Sequence, residues 1–404
     1  MNYQEINVCR SCKNKSFKKI LSFGNLPLAN SLRTNLQLLE DRYPLVLIEC
    51  QSCTLVQLSI DVNSHTMFDN YDWVTGTSRM AKDSARNLFE FVNQILPVSL
   101  SDSKVCEIAS NDGTFLLPFK NAGSKTLGVE PAGNLSSLSN KLGIPTLNKY
   151  FSSSLASDIL EQYGVQDLVI ARNVLAHVPD PDDFTKGIAT LIGDRGFAYV
   201  EVHNGRSIFE GLQYDAIYHE HASYFSEVSL NYLCLRNDLT VFKIVESRIG
   251  GGNLGFFLKS RKNKSLKELP SLNLEEGKSS ALDWESWALK VENHRNEINA
   301  YLEGKEFQSG VGFGASARGS TLLNYCRFDQ KLKGVLDNNE FKHGKYVPGL
   351  PLKISKVSEM ASLNPEYVFG LAWNFENEMI EQLKELKFSG EILIPFPTIR
   401  RVEL

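Results

Sequence analysis

Four of the seven cysteines in this 404-residue chain lie in two Cys-x-x-Cys pairs near the N-terminus. Cys9 and Cys12 form the first pair, and Cys50 and Cys53 form the second. Four thiolates at this spacing complete the tetrahedral shell of one zinc ion and leave no coordination position open for water. We therefore expect a structural zinc site. Four free thiols are one alternative, which the doubled spacing disfavours. A redox-active pair is the other, and it is disfavoured because neither pair follows a strand at a helix N-terminus.

A cofactor site is indicated where an apolar run ends. The sequence KVCEIASNDGTFLLPF (104–119) is typical of a strand, a tight loop and a helix. Class I methyltransferases that use S-adenosylmethionine (SAM) carry an acidic residue and three alternating glycines at such a loop. Here a small alanine and an asparagine, which accepts left-handed backbone geometry, replace two of the glycines. The candidate cofactor residues are Glu107, Ala109, Ser110, Asn111 and Gly113.

Polar residues follow the next two apolar runs. TLGVE ends at Glu130, and DLVIARN ends at Asn173, with His177 shortly after it. In a doubly wound sheet, ligands bind along the carboxyl ends of the strands, and an acid there can bind the ribose hydroxyls of an adenosine. A dinucleotide-binding fold is the competing interpretation, but this unit lacks a Gly-x-Gly-x-x-Gly motif. We therefore predict that Glu130 binds SAM and that Asn173 and His177 emerge at the same edge.

The segment Tyr218-His219-Glu220-His221 concentrates reactive side chains. An extended backbone would direct Tyr218 and Glu220 to one face and the two histidines to the other, so they share one site only if the backbone is irregular. A catalytic role is favoured because the segment follows a run that ends in polar residues, and because an imidazole can accept a carbon-bound proton near neutral pH. A His-x-His metal site and a solvent-exposed loop are the alternatives.

Strand-like and helix-like segments alternate through residues 104–202, which predicts a parallel sheet covered by helices on both faces. The runs LTVFKIVES and NLGFFLKS, joined by a glycine-rich turn, predict an antiparallel hairpin at its end. Trp284, Trp287, Val291 and Ile298 can share one face of a long helix. A second α/β unit begins at VGFGAS (311–316). The fold class is therefore α/β, in three units.

Composition excludes several classes of protein. The chain carries 43 Lys and Arg against 47 Asp and Glu, a net charge of -4, which disfavours broad contact with nucleic-acid phosphates. No stretch approaches the roughly 20 apolar residues that a membrane-spanning helix needs. The N-terminus lacks the apolar core of a signal peptide. We expect a cytoplasmic enzyme that binds neither nucleic acid nor membrane.

At these residues the chain resembles the zinc-containing, SAM-dependent C-3 methyltransferases of nucleotide-linked 4-keto deoxysugars. The resemblance runs nearly end to end and rests on the paired cysteines together with LPLANSL, EIASNDGTFL, ARNVLAHVPDP, YDAIYHEHASYFS and FGASARGSTLLNYC. It implies a zinc-binding domain (1–65), a class I SAM-binding domain with a doubly wound sheet (66–265) and a C-terminal Rossmann-like domain (266–404). The last would help to form the sugar-nucleotide cleft.

The resemblance also implies roles for individual residues. A proton would be taken from C3, next to the C4 ketone, and the resulting enolate would attack the SAM methyl group. His221 would be the general base, with Glu220 as its orienting or charge-balancing partner. Tyr218 and His177 would lie against the sugar or the enolate. Asn173 would line the junction of SAM and sugar, and Tyr71, rather than Trp73, would close over the site.

The C-terminal glycine-rich loop VGFGASARGST is suited to a pyrophosphate at a helix N-terminus. Ser316 and Arg318 are the candidate substrate residues there, since an arginine adds charge-assisted hydrogen bonds to phosphate. The family more often has lysine at the position of Arg318, and commonly histidine where this chain has Ile249. We interpret this unit as a Rossmann fold that does not use NAD, because the proposed reaction has no hydride step.

The leading hypothesis is a monomeric, SAM-dependent sugar C-methyltransferase. An O- or N-methyltransferase of a related nucleotide sugar is the second. It would also bind SAM but would not exchange a C3 proton with solvent. A zinc-ribbon binding module and an NAD-dependent oxidoreductase are the remaining alternatives, and they would bind nucleic acid and NAD, respectively.

Overall fold

The computed structural model describes residues 2–69, 73–97, 99–247, 252–265 and 282–404. Within these ranges the strands form one two-stranded ladder and sheets of four, six and seven strands. None of the helices described is both long and apolar enough to cross a membrane.

The N-terminal unit is a small antiparallel sheet with an added ladder. Its strands are β1 (Tyr3–Glu5), β2 (Phe17–Leu26), β3 (Tyr43–Cys50), β4 (Val56–Leu58) and β5 (Ile60–Val62). Along β3, the side chains of Tyr43, Leu45 and Leu47 are buried at alternate positions, as expected for a strand with one face turned to a core. The first cysteine pair precedes β2, and the second begins at Cys50, the last residue of β3.

Two helices connect this unit to the central one, α1 (Ser64–Phe68) and α2 (Arg79–Ile95). The buried residues of α2 are Ala81, Ala85, Leu88 and Val92. Their spacing of three or four positions places them on one face of the helix. The hydroxyl of Ser78 caps the helix by accepting a hydrogen bond from the backbone N–H of Ala81 at 3.2 Å.

The central unit has the strand order expected for a class I methyltransferase. In chain order the strands are β6 (Lys104–Ile108), β7 (Lys125–Val129), β8 (Thr146–Leu147), β9 (Leu168–Arg172), β10 (Phe197–His203), β11 (Ser223–Tyr224), β12 (Leu239–Ser247) and β13 (Asn253–Ser260). All except β11 form one sheet in the order β12-β13-β10-β9-β6-β7-β8, in which only β13 is antiparallel to its neighbours. The order reverses between β6 and β9, and ligands bind at such a switch point.

Helices alternate with these strands as predicted. They are α3 (Leu117–Asn121), α4 (Gly133–Lys141), α5 (Ser153–Tyr163), α6 (Pro181–Ile192), α7 (Gly205–Glu210) and α8 (Glu227–Arg236). The predicted hairpin is also confirmed, because β12 pairs with β13 from Leu239↔Ser260 to Ser247↔Asn253. Residues 248–251, between the two strands, lie outside the described residues.

The C-terminal unit begins with the predicted long helix, α9 (Trp284–Glu303), in which Trp284, Trp287, Val291 and Ile298 are all buried. Its strands are β14 (Gly310–Phe313), β15 (Leu332–Asp337), β16 (Ile354–Lys356), β17 (Tyr367–Gly370), β18 (Glu391–Ile394) and β19 (Arg400–Glu403). They form a sheet in the order β16-β15-β14-β17-β18-β19, parallel up to the last strand. The remaining helices are α10 (Ala317–Cys326), α11 (Met360–Leu363) and α12 (Glu376–Glu385).

The N-terminal unit packs against both α/β units. Leu45 and Leu47 of β3 share one hydrophobic core with Trp287 of α9 and Leu332 of β15. On its other side, the cysteine cluster shares a core with strands of the central sheet. Strand β11 reinforces this contact, because it leaves the central unit and pairs with β4. The units therefore meet where β11 and the segment before it lie.

Candidate active site

The four paired cysteines converge as the spacing predicted. Their sulfur atoms lie within 4.8 Å of one another, with 3.6 Å between Cys9 and Cys53 and 3.5 Å between Cys12 and Cys50. The two knuckles are built alike, because the N–H of Lys13 bonds to the carbonyl of Cys9 and the N–H of Thr54 to that of Cys50, each at 3.0 Å. Four thiolates fit one zinc ion in a closed shell, which makes the site structural.

The loop after β6 has the left-handed turns that a cofactor site of this kind needs. The φ angles of Ala109, Asn111 and Gly113 are 56°, 51° and 82°. These positions are the ones at which the sequence pattern placed glycines or their substitutes. Alanine at a positive φ is uncommon, so the surrounding structure must stabilise this backbone. It brings backbone N–H groups to the carboxyl end of β6, where a ligand can reach them.

Polar atoms without partners lie buried beside this loop. Glu107 is 3% exposed, and neither its Oε2 atom nor the hydroxyl of Ser110 has a hydrogen-bond partner among the described residues. Burial raises the pKa of Glu107 well above its ordinary value, although the Arg172 guanidinium lowers it. Such atoms indicate a polar ligand, because unpaired buried polar groups are costly. They fit the charged amino-acid part of SAM.

Glu130 lies at the end of β7, opposite this loop. Its carboxylate accepts hydrogen bonds from the N–H groups of Asn111 and Ala132, both at 2.8 Å. Burial raises the pKa of Glu130. The side chain of Asn111 reaches the segment after α1, because its oxygen accepts from the N–H of Thr75 at 2.9 Å and its nitrogen donates to the carbonyl of Trp73 at 3.0 Å. These two hydrogen bonds connect the segment after α1 to the cofactor loop.

We expect substitution of Gly113 by alanine to weaken SAM binding by more than tenfold. A Cβ atom there would lie 2.6 Å from the Ser139 hydroxyl and 2.9 Å from Ile144 Cδ1, and the residue would be held at a positive φ. Together these effects should lower the free energy of unfolding by about 2–5 kcal/mol. Gly123→Ala is the matched control, since its φ is 98° but the nearest atom is 3.5 Å away. Calorimetric titration measures the affinity for SAM, and thermal unfolding measures stability. Equal SAM affinity in Gly113→Ala and Gly123→Ala would contradict the assignment of Gly113 to the cofactor loop.

Asn173 is held at the end of β9 by a buried polar network. Its φ is 51°, its amide nitrogen donates to Glu201 at 3.3 Å, and its oxygen accepts from Asn253 at 2.9 Å. Glu201 also accepts from the Tyr199 hydroxyl at 2.9 Å and pairs with Arg172 at 3.3 Å. The sequence indicated a polar edge at Glu201, but the partner Asn253 was missed because it comes from the distant hairpin.

The Tyr218–His221 segment forms a turn, which is the irregular backbone that a shared site requires. The N–H of His221 donates to the carbonyl of Tyr218 at 2.9 Å. As a result, the Tyr218 hydroxyl lies 2.8 Å from His221 Nε2. His177 joins them from the loop after β9, with its Nδ1 2.7 Å from the carbonyl of Glu220 and its ring 4.9 Å from that of His221. His219 faces the other way and contacts the carbonyl of Tyr43. Within the described ranges, these histidines form no metal cluster.

The protonation state of His221 follows from its partners. Nδ1 lies 3.0 Å from the carbonyl of Ala216, and because a carbonyl can only accept, Nδ1 carries the ring proton. Nε2 therefore holds the lone pair and accepts from Tyr218. Burial, with smaller contributions from His177 and His203, lowers the pKa of His221 well below its ordinary value. At neutral pH the ring is uncharged and can accept a proton at Nε2.

Of the two roles expected of Glu220, the structure shows no orienting contact with the His221 ring, whereas charge balance stays a prediction. The carboxylate of Glu220 instead accepts both of its hydrogen bonds from the amide nitrogen of Asn30, at 2.7 and 2.8 Å. The turn causes this difference, because it directs adjacent side chains to different neighbours. Burial raises the pKa of Glu220 to about 7, and Asn30 lowers it. Asn30 was missed at the sequence level, although it lies in the motif LPLANSL.

Arg318 is paired with a carboxylate of the protein itself. Its Nε and terminal nitrogen donate to both oxygens of Asp215 at 2.9 Å, and Trp373 donates to the same carboxylate at 2.7 Å. The Arg318 cation contributes to the lowered pKa of His221, so it lies near the Tyr218–His221 turn, the proposed catalytic turn. Ser316 caps α10 by accepting from the N–H of Gly319 at 3.0 Å. Tyr71 lies outside the described residues.

Two narrow gaps lie between the N-terminal unit and α10. The first has no room for a water molecule and is lined by Tyr218, His219 and Asn324, among others. The second has a cavity volume of about 10 Å³, roughly the space of one water molecule, and is lined by Ser316, Gly314 and Leu32. Ala29 borders both. The N-terminal unit therefore packs closely against α10 and the glycine-rich loop.

Comparisons with known proteins agree with this arrangement. Family models match a zinc binding domain at residues 9–68, a methyltransferase domain at residues 80–244 and a C-methyltransferase C-terminal domain at residues 248–397. The C-methyltransferase NovU of Streptomyces niveus is 28% identical over 406 aligned positions, which cover 98% of this chain and 96% of that protein.

Solved structures of methyltransferases also align with part of the chain. Magnesium protoporphyrin IX methyltransferase of Synechocystis PCC 6803 aligns with a TM-score of 0.34 and 14% identity, over 44% of this chain and 79% of that one. The plantazolicin methyltransferase BpumL aligns with a TM-score of 0.37 and 13% identity, over 46% of this chain and 86% of that one.

Proposed function

Because this chain belongs to the zinc-containing, SAM-dependent C-methyltransferases, we propose that it methylates C3 of a nucleotide-linked 4-keto-6-deoxyhexose, in the biosynthesis of a branched deoxysugar. The observation that carries the proposal is the pairing of His221 Nε2 with the Tyr218 hydroxyl at 2.8 Å. A neutral base and a hydroxyl donor side by side suit a carbon acid whose carbonyl oxygen becomes charged.

The proton is taken by His221. C3 is acidic because its carbanion is conjugated with the C4 ketone, and the base that takes its proton must be uncharged and held beside it, with a donor that stabilises the enolate. The Nδ1–H of His221 remains hydrogen-bonded to the Ala216 carbonyl, which fixes the orientation of the ring. When the substrate is bound, the Tyr218 hydroxyl turns from Nε2 to the ketone oxygen, which frees the lone pair and stabilises the enolate. One such donor is typically worth about 2.7–4 kcal/mol.

The carbon nucleophile must then be aligned with the cofactor. SAM, when bound, supplies an electrophilic methyl group, and Glu107, Ser110 and Glu130 are the residues that would hold it. Asn173, fixed by Glu201 and Asn253, lies on the same sheet edge as this loop and on the same segment as His177. This chain thus contributes mainly positioning to the transfer step, in which alignment supplies much of the acceleration.

The nucleotide would occupy the region between the N-terminal unit and α10. Support comes from the glycine-rich loop that ends at Ser316, the N-cap residue of α10. Tyr71 would cover the sugar. We also propose that the enzyme acts as a cytoplasmic monomer.

In this scheme Arg318 stabilises the folded protein by pairing with Asp215, and its replacement tests this role. Arg318→Ala leaves the buried Asp215 carboxylate without its cation and should lower the free energy of unfolding by about 3–5 kcal/mol. The double variant Arg318→Met/Asp215→Asn removes both charges and should recover most of that loss. Urea unfolding measures both. Unchanged stability in Arg318→Ala, accompanied by a raised KM, would instead assign the guanidinium to the substrate phosphates.

The test of the function is mass spectrometry of the nucleotide sugar after incubation with SAM. A panel of 4-keto-6-deoxyhexoses linked to different nucleotides covers the proposed substrate class. Gain of one methylene unit, located on a ring carbon by fragmentation, is the expected result. A methyl group on oxygen or nitrogen would assign the second candidate, a heteroatom methyltransferase. No methyl gain from zinc-loaded protein with any member would refute the proposed substrate class.

A further inference from the structure

Hydrogen bonds tie the catalytic turn to the zinc-binding unit. After the turn, β11 pairs with β4 through Ser223↔Gln57, and the N–H of Leu58 donates to the carbonyl of Ala222 at 3.0 Å. These contacts involve backbone atoms. A side-chain contact is added at Glu220, whose carboxylate receives the amide of Asn30, a residue of the N-terminal unit. The N-terminal unit therefore reaches the reactive groups themselves.

Two buried carboxylates in this segment have partners of different charge. Asp215 receives the Arg318 guanidinium and the Trp373 indole N–H. Glu220 is 3% exposed, yet Asn30 is the only side chain among the described residues that bonds its carboxylate. A cation compensates a buried carboxylate fully, whereas a neutral amide stabilises the anion by less. Asp215 is therefore part of a structural ion pair, whereas the carboxylate of Glu220 can gain or lose a proton.

The groups around Glu220 do not supply the missing charge. Burial lowers the pKa of His177, His219 and His221, and it raises the pKa of Tyr43 and Tyr224, so all five are uncharged near neutral pH. Tyr218 is the remaining titratable neighbour of Glu220 on the turn. The nearby cation, Arg318, is paired with Asp215. The hydrogen bond from Asn30 is consequently the main stabilisation of the Glu220 anion.

We propose that Asn30 is a positioning residue for the deprotonation step: its amide holds the carboxylate of Glu220 on the catalytic turn in the charged form. By the resemblance to the family, this carboxylate balances the positive charge that His221 acquires with the substrate proton, which would otherwise be an unpaired buried cation. This inference rests on the proposed function, and it adds a residue of the zinc-binding unit to the catalytic machinery.

Asn30→Ala tests the proposal with little risk to folding, because Asn30 is exposed. Loss of the Asn30 donor raises the pKa of Glu220. As the pH falls through this higher pKa, the carboxylate becomes protonated and activity is lost. We expect kcat to be roughly five- to tenfold lower at pH 6.5 and within about twofold of wild type at pH 9. Asn25→Ala, another exposed asparagine of the unit, is the control and should keep the wild-type profile.

Exchange of the two partners separates charge from structure. Asn30→Asp/Glu220→Gln keeps one amide and one carboxylate in contact but moves the carboxylate off the turn. We expect wild-type thermal stability and at least tenfold lower kcat at every pH. Full recovery of kcat in the exchanged variant, or an equal loss in Asn30→Ala at all pH values, would overturn the proposal, because either result assigns the contact to structure alone.

A readout without substrate distinguishes failure of this inference from failure of the proposed function. Infrared titration of the apoenzyme follows the carboxyl band that Glu220→Gln removes. We expect its apparent pKa to rise in Asn30→Ala. If the wild-type enzyme methylates no sugar but this pKa rises, the proposed function fails and the link between Asn30 and Glu220 stands. If the enzyme is active and the pKa does not move, only the inference about Asn30 fails.

Discussion

Replacement of His221 by alanine is expected to lower kcat for methyl transfer by about 10²–10⁴-fold, the usual contribution of a positioned general base. The reason is the geometry of the ring, whose Nδ1–H is held by Ala216 and whose Nε2 is the free basic atom beside Tyr218. Affinity for SAM should be unchanged, because His221 lies outside the loop that carries the cofactor residues. Steady-state rates and calorimetric titration measure the two quantities separately.

The same substitution at an exposed histidine is the control. His65 lies on α1 at the surface and pairs with Asp69, so His65→Ala should keep the wild-type rate. A full rate in His221→Ala would refute the role of this residue as base. Loss of SAM binding together with activity would mean that the variant has disturbed the fold of the central unit rather than removed one chemical group.

Loss of the zinc ion is expected to have the second large effect. Structural zinc sites contribute about 10–16 kcal/mol of binding free energy, and small metal-binding units commonly unfold without the metal. Cys12→Ser should therefore lose zinc and unfold the N-terminal sheet. Because β11 pairs with β4, the catalytic turn loses its support, and kcat should fall by at least about 10²-fold. Metal analysis, circular dichroism and rate measurements test this.

Cys12→His is the matched variant, because histidine can replace one cysteine in a structural zinc shell. Cys12 is only partly buried, so the larger ring can be accommodated there. We expect this variant to retain zinc and most of the activity. A zinc-free Cys12→Ser protein with the wild-type rate would show that the metal-binding unit does not support the site.

The features that were predicted from sequence are those in which local pattern determines structure. The spacing of the cysteines indicates their convergence, because two short knuckles can only present thiolates to a common point. Alternating apolar runs indicate the strands, and the spacing of Trp284, Trp287, Val291 and Ile298 indicates the buried face of α9. The left-handed turn at Asn111 follows from the residue type and its place after β6.

The contacts that escaped prediction join residues distant in the sequence. Nothing near Glu220 identifies Asn30 as its partner, because the pair forms only when the zinc-binding unit packs on the turn. The pairing of Arg318 with Asp215 likewise depends on how the C-terminal unit meets the central one. Charge alone favoured a phosphate for this arginine, and the buried carboxylate could not be foreseen. The two-residue strand β11 is too short to leave a periodic signal.

The most direct test of the central claim is hydrogen exchange at C3 of the nucleotide-linked 4-keto sugar in heavy water, followed by NMR. With wild-type enzyme and SAM, we predict a product that carries the new methyl group on C3 and has lost the C3 hydrogen. With S-adenosylhomocysteine in place of SAM, we predict deuterium at C3, and neither change with His221→Ala. A methylated product that retains its C3 hydrogen would contradict the account, because no carbon acid would then have been deprotonated.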